Sequence, residues 1–195
     1  MAILRGVMPN EVVALGEQLL KAGIHQIEVP LNSPSAFESI AKLQKSLGHH
    51  ALIGAGTVLC VADAKAVHAH GGQFIVSPNC NADVIKATKD MGMMSYPGVL
   101  TPTECFTALD SGADLLKLFP AFLLGVKGFK AIQAVLPNYV ECYAVGGIGS
   151  DDFAQWRKAG IAGFGLASNL YSPGDSPEQV AGKAKVLVDA WDDTL

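Results

Sequence analysis

One unit recurs along this chain: a helical stretch ends at a glycine, and a short apolar strand follows. It appears at Lys21-Ala22-Gly23 before Ile27-Glu28-Val29, at His70-Gly71-Gly72 before Phe74-Ile75-Val76, and at Met91-Gly92 before Met94-Ser95-Tyr96. It returns at Ser111-Gly112-Ala113 before Leu115-Leu116-Lys117-Leu118, and at Ala159-Gly160 before Gly163-Phe164-Gly165-Leu166. Glycine just past a helix end takes the left-handed conformation without a side-chain clash, so each instance marks a helix C-terminus feeding a strand. Helix starts are as clear. Thr101-Pro102-Thr103-Glu104 and Ser176-Pro177-Glu178-Gln179 each offer a hydroxyl cap, proline at the first helical position and an acidic or amide side chain at the third. In the last helix, Val180, Ala184, Leu187, Val188 and Trp191 fall on one stripe at helical spacing and are read as core.

Counting the strands gives Ala2–Arg5, Gln26–Pro30, Ala51–Ala55, Phe74–Ser77, Met94–Pro97, Leu115–Phe119, Glu141–Val145 and Gly163–Leu166, each followed by a helical segment. Eight alternating β and α units predict a (β/α)8 TIM barrel in a single α/β domain over residues 1–195, at the short end for that fold. An open doubly wound sheet is the competing architecture. The G-x-G-x-x-G pattern that would favour a dinucleotide fold is missing, and Gly54-Ala55-Gly56-Thr57 is read as a turn.

Half the residues are apolar and the net charge is only −4, with no block of like charges, so neither nucleic acid nor an anionic membrane is expected as partner. A small molecule is. Cys60, Cys80, Cys105 and Cys142 lie far apart and are read as reduced thiols of a cytoplasmic protein. The pairs His49-His50 and His68-His70 fall at predicted helix ends, where solvated termini account for them without a metal. The opening Met1-Ala2-Ile3-Leu4-Arg5 has no extended apolar stretch, and a soluble, unexported protein is expected.

Within this frame Lys117 stands out: it is the only Lys or Arg between Lys89 and Lys127, and it sits in Leu115-Leu116-Lys117-Leu118-Phe119-Pro120. A strand that apolar is normally buried on both faces. A buried ammonium loses hydration, its pKa falls, and the neutral amine can attack a carbonyl carbon. A lysine snorkelling its head to solvent at a strand end is the bland alternative. Barrel enzymes place their chemistry at the C-terminal strand ends, where this chain offers Arg5, Glu28, Thr57, Lys117, Gly146-Gly147 and Ser168. Alternation along each strand groups Ile3 with Arg5, Gln26 with Glu28, Ile53 with Ala55 and Thr57, and Leu115 with Lys117 and Phe119, all read as facing inward. Glu28 and Lys117 then form either a structural ion pair or an acid/base beside an imine-forming amine, with Arg5 and Thr57 as anion binders. Gly146-Gly147-Ile148-Gly149-Ser150 and Ser168 follow the seventh and eighth strands, where barrels most often hold a phosphate.

At these residues the chain resembles the class I aldolases that cleave 2-dehydro-3-deoxy-6-phospho sugar acids. The matching stretches are Ala2-Ile3-Leu4-Arg5-Gly6, Glu28-Val29-Pro30-Leu31-Asn32-Ser33-Pro34, Gly54-Ala55-Gly56-Thr57-Val58-Leu59, Leu116-Lys117-Leu118-Phe119-Pro120, Ala144-Val145-Gly146-Gly147 and Gly165-Leu166-Ala167-Ser168. The resemblance implies a (β/α)8 barrel, a homotrimer, and no metal or organic cofactor. It implies Lys117 as the Schiff-base lysine, Glu28 as general acid/base, Arg5 and Thr57 as ligands of the substrate carboxylate, and Gly146, Gly147 and Ser168 at the phosphate. Two departures matter: Ala167 stands where the family commonly has glycine, and strand one begins without the short segment that usually closes the barrel bottom. A positive φ at Ala167 would be strained. Relatives acting on the gluconate epimer often carry Arg four residues after the acid/base; Asn32 here favours the galactonate epimer, with the gluconate epimer as the alternative. A phosphosugar isomerase or epimerase, and a non-catalytic sugar-phosphate binder, are the rival classes.

Overall fold

The computed structural model describes residues 1–194. The strands are β1 (Ala2–Ile3), β2 (Gln26–Pro30), β3 (Leu52–Gly56), β4 (Phe74–Val76), β5 (Met94–Tyr96), β6 (Gly98–Val99), β7 (Leu116–Leu118), β8 (Cys142–Val145) and β9 (Gly163–Gly165). The helices are α1 (Val12–Lys21), α2 (Ala36–Leu47), α3 (Val61–Ala69), α4 (Ala82–Asp90), α5 (Pro102–Asp110), α6 (Ala121–Gln133), α7 (Phe153–Lys158) and α8 (Pro177–Asp192). The glycines that signalled helix ends do cap them: Gly23, Gly71, Gly92, Gly112 and Gly160 all have φ between 75 and 99°. The capping boxes at Thr101 and Ser176 are both formed.

All strand pairs are parallel. β1 to β5 follow one another in one sheet, β6 to β9 in a second. β5 and β6 are two halves of one path interrupted at Pro97, which has no N–H to give a ladder. The path is bonded on both sides: Ser77 N donates to Tyr96 O at 3.2 Å, and Lys117 N donates to Pro97 O at 2.9 Å. The last seam lies between β1 and the end of β9. Ile3 N donates to Leu166 O and Leu166 N to Met1 O, both at 2.9 Å, so eight strands close on themselves as expected for a (β/α)8 barrel.

Two layers fill the molecule. Outside the barrel wall, Ile27, Val29, Ile53, Ala55, Leu116, Leu118 and Ala144 pack under the helices. Inside it, Phe74, Val76, Tyr96 and Leu115 pack with Leu52, Met94 and Tyr143. Glycines make that interior possible. A Cβ at Gly54 would overlap the backbone and ring of Phe74, and one at Gly163 would lie 2.7 Å from the Tyr143 ring. The expected direction of the third strand is therefore corrected: Ile53 and Ala55 face the helices, while Gly54 and Gly56 face the lumen. Gly54-Ala55-Gly56 is strand rather than turn. Among the described residues the four cysteines are unpaired, and no helix is long and apolar enough to cross a membrane.

Candidate active site

Lys117 is central in β7, paired laterally with Gly98 on one side and Tyr143 on the other. It is 6% exposed and points into the lumen above Leu115; the snorkelling alternative fails. Its Nζ lies 4.6 Å from the centre of the Phe119 ring, a contact that favours a cation there. Burial pulls the amine below the ordinary lysine range; the Glu28 charge pulls it back up, and Arg5 pushes it down again. The direction is toward a neutral, nucleophilic amine.

Glu28 sits in β2 opposite Ile3 and Gly54 and is 2% exposed. Burial raises its pKa to about 7, against the opposing pull of Lys117, Arg5 and the Met1 amine. Its carboxylate lies against Gly56, where any Cβ would overlap Oε2. That Oε2 is buried and has no hydrogen-bond partner. Among the described residues the ion pairs within contact distance are Lys42–Glu38, Lys89–Asp114, Lys183–Asp175 and Lys185–Asp189, so Glu28 and Lys117 do not form a direct bridge. They act on each other through space across the lumen. A carboxyl group that burial holds near neutrality, with a free oxygen, can both give and take a proton at physiological pH.

Arg5 follows β1 at the rim and is exposed. Its Nη1 donates to Asn32 Oδ1 at 2.6 Å and to Thr57 Oγ1 at 3.4 Å. Thr57 reaches the rim because its backbone is left-handed, with φ of 57°, which breaks the alternation of β3 just past Gly56. Asn32 and Ser33 close the same side, Ser33 Oγ accepting from Gly6 N at 2.9 Å. The guanidinium is thus steered over the Glu28–Lys117 lumen with donors to spare for an anion.

The loops after β8 and β9 form the other side. Gly146 and Gly147 have φ of 97 and 70°, and Gly146 lies 3.4 Å, measured from its Cβ position, from the Phe119 ring that carries Lys117. After β9 the chain makes one turn, with Leu170 N and Tyr171 N both donating to Ala167 O at 2.8 and 2.9 Å. The amides of Gly147, Ser168 and Asn169 have no acceptor among the described residues, and Asn169 Nδ2 ties the two loops by donating to Ile148 O at 2.9 Å. Such converging N–H groups form an anion cradle. Gly149 N, by contrast, is taken by Asp152 Oδ2 at 2.9 Å, so only part of the expected glycine run is free. Ala167 is not strained, because among the described residues other than glycines only Ser35 and Thr57 have left-handed backbone.

Of the eight residues singled out in the sequence, Lys117 and Glu28 lie within strands and face the lumen, while Arg5, Thr57, Gly146, Gly147, Ala167 and Ser168 follow the C-terminal ends of their strands. Sequence reading passed over Gly56, which makes room for the Glu28 carboxylate, and Asn32 as the partner of Arg5. The spacing Gly54-x-Gly56 was the available signal: glycines two apart in a strand leave one face open for a large neighbour. A cavity of about 330 Å³ lined by Met1, Gln26, Tyr143 and Trp191 opens at the opposite end of the barrel and includes none of these groups.

Comparison with known proteins finds relatives along nearly the whole chain. Residues 1–172 match the family model for KDPG and KHG aldolases. The 2-dehydro-3-deoxy-6-phosphogalactonate aldolase of Escherichia coli K12 is 44% identical over 190 residues, 97% of this chain and 93% of its own length. The solved native KDPGal structure is also 44% identical, with a TM-score of 0.97 over 99% of this chain and 94% of its own. The KDPG aldolase of Legionella pneumophila, solved with pyruvate captured at low pH as a covalent carbinolamine, is 26% identical with a TM-score of 0.81, covering 99% of this chain and 93% of its own.

Proposed function

The chain belongs to the KDPG and KHG aldolase family, and we propose that it is a class I aldolase cleaving 2-dehydro-3-deoxy-6-phosphogalactonate to pyruvate and D-glyceraldehyde 3-phosphate. The observation that carries this reading is the buried amine of Lys117 in a lumen shared with a carboxyl group held near neutrality. Neutral Lys117 attacks the C2 ketone. Glu28 gives the proton that lets the carbinolamine lose water, and the resulting iminium lies over the Phe119 ring. Glu28, now ionised, takes the C4 hydroxyl proton as the C3–C4 bond breaks and its electrons flow into the iminium. The aldehyde leaves, the enamine is protonated at C3, and hydrolysis frees pyruvate and restores the amine.

Binding follows the same axis. Arg5 and Thr57 take the carboxylate end; Gly146, Gly147 and Ser168, with Ala167 in the same turn, take the phosphate. Asn32 favours the galactonate epimer, because its amide holds Arg5 and puts no cation at that position. The proposed assembly is a cytoplasmic homotrimer with no nucleic acid or membrane partner; light scattering at three times the chain mass supports it, and a monomer mass removes it.

The test is chemical. With pyruvate and borohydride, mass spectrometry should find the reduced pyruvyl adduct on Lys117, and an active enzyme with Lys117 unlabelled refutes the mechanism. Lys117→Arg should lose about 10³-fold or more in turnover, since a guanidinium is not a nucleophile at neutral pH. An isomerase using the lysine only as a charge would keep part of its rate. Pyruvate release measured on both epimers decides the substrate.

A further inference from the structure

The turn presenting the Ser168 and Asn169 amides is a single helical turn, and one turn alone is not self-supporting. Something outside it must hold its donors in place. Tyr171 closes the turn, and its ring is buried at 3% exposure. Its O–H donates to Glu11 Oε1 at 2.9 Å, and the same oxygen accepts from Met8 N at 3.0 Å. Glu11 stands at the N-terminal end of α1, so this carboxylate joins the turn after β9 to the loop that leaves Arg5. The two loops also meet at Gly6, whose Cβ position lies only 2.7 Å from Pro173 Cγ.

We propose that Tyr171 and Glu11 are positioning residues for phosphate recognition, a clasp that fixes the Ser168 turn against the loop after β1. The proposal rests on the aldolase reading above. A phenol hydrogen-bonded to a carboxylate is a strong, directional tie. Burial, together with the neighbouring Glu11 charge, holds the phenol protonated, so it stays a donor throughout the working pH range. Removing the tie frees the turn without altering Lys117, Glu28, Arg5 or Thr57. Ligands with a phosphate lose affinity; ligands without one do not.

The experiment compares Tyr171→Phe with the parent enzyme. KM for the phosphorylated substrate should rise about tenfold, and the inhibition constant of inorganic phosphate by a similar factor, with kcat changed less than about twofold. The rate of pyruvate-dependent inactivation by borohydride should stay unchanged, because pyruvate carries no phosphate. Glu11→Ala should reproduce the pattern, and the double variant should be no worse than either single one. Equal losses in substrate KM, phosphate inhibition and pyruvate trapping would mean general loosening of the fold and overturn the clasp; so would no change in phosphate inhibition. A parent enzyme that forms no pyruvate adduct would refute the aldolase reading instead, leaving calorimetric binding of inorganic phosphate to the parent and to Tyr171→Phe to test the clasp, which equal affinities would overturn.

Discussion

Glu28 shows how a single position reconciles burial with work. Its carboxyl is pushed to about 7 by desolvation, with Lys117 and Arg5 restraining the rise. As pH falls through that value Glu28 and Lys117 come to hold a proton each and the neutral amine is lost, so kcat/KM should decline below about pH 7, the apparent value belonging to the coupled pair. Glu28→Gln should lose about 10²- to 10⁴-fold in kcat. It also removes the charge that raises the Lys117 pKa, so the residual activity should hold to lower pH than that of the parent. A pH–rate profile of both enzymes checks these signs. Gly56 offers a sharper probe, because its Cβ would overlap the Glu28 carboxylate while the strand needs no special backbone there. Gly56→Ala is expected to cut kcat by at least about tenfold while circular dichroism stays native. Gly54→Ala meets the Phe74 backbone instead, and should lose about 1–3 kcal/mol of stability in urea titration. Lys117 and Glu28 were legible as candidates because Lys and Glu in apolar strands stand out; Gly56 was not, since a glycine reads equally as turn or as space. Parity misled at Ile53 and Ala55 because the left-handed Thr57 reaches the rim from a strand whose inward positions are glycines. Nothing in the letters signals that conformation.

Elements were easiest to read where punctuation is local. The boxes at Thr101 and Ser176 depend on residues three apart, and both form, Glu104 N donating to Thr101 Oγ1 and Gln179 N to Ser176 Oγ, each at 3.3 Å. Thr101→Ala and Ser176→Ala should each cost about 1 kcal/mol by denaturant unfolding, with kcat unchanged, since neither helix start touches the lumen groups. Opposite behaviour, full stability with lost activity, would mean that these caps serve the site. Strand ends were harder. The fifth strand runs past Pro97 to Gly98 and Val99, and its continuation was not legible because proline normally ends a ladder and only the flanking strands supply the missing bonds. The helical signal after the seventh strand was overread in a similar way: Gly149 and Asp152 cap a short 3-10 turn before α7, and that cap consumes one amide expected to be free. A box of Gly-x-x-Asp is weaker in sequence than one led by Ser or Thr, because glycine has no side chain to return the bond.

At the scale of the molecule the question is whether the barrel is closed by design or only by proximity, since an open sheet with the same strand order would set Arg5 and Ser168 on separate edges. Sequence alone left both architectures standing, because alternating β and α units serve either one and the distinction lies in how the first strand meets the last. That seam is short: one bridge between Ala2 and Leu166, with Ile3 N and Leu166 N as its donors. Its neighbours lend it support. Ala2 and Leu4 are fully buried, and the stacked Phe153–Phe164 pair at 4.2 Å with Trp191 edge-on braces β9 from outside. If closure is a cooperative part of the fold, the Ile3 and Leu166 amides can exchange only when the whole barrel opens. Their hydrogen-exchange protection should then match that of Ile53 and Ala55 in β3 within about tenfold, and should fall with urea at the same slope. A seam that frays locally would exchange orders of magnitude faster with little urea dependence, and the loops carrying Arg5 and Ser168 would separate each time it did. The clasp between Glu11 and Tyr171 lies on the rim above this seam, whose own bonds are backbone ones, so Tyr171→Phe should leave protection at Ile3 and Leu166, as in β3, unchanged. Closure and phosphate recognition would then be separable, the first resting on backbone bonds between the first and last strands and the second on a side-chain tie between the loops above them.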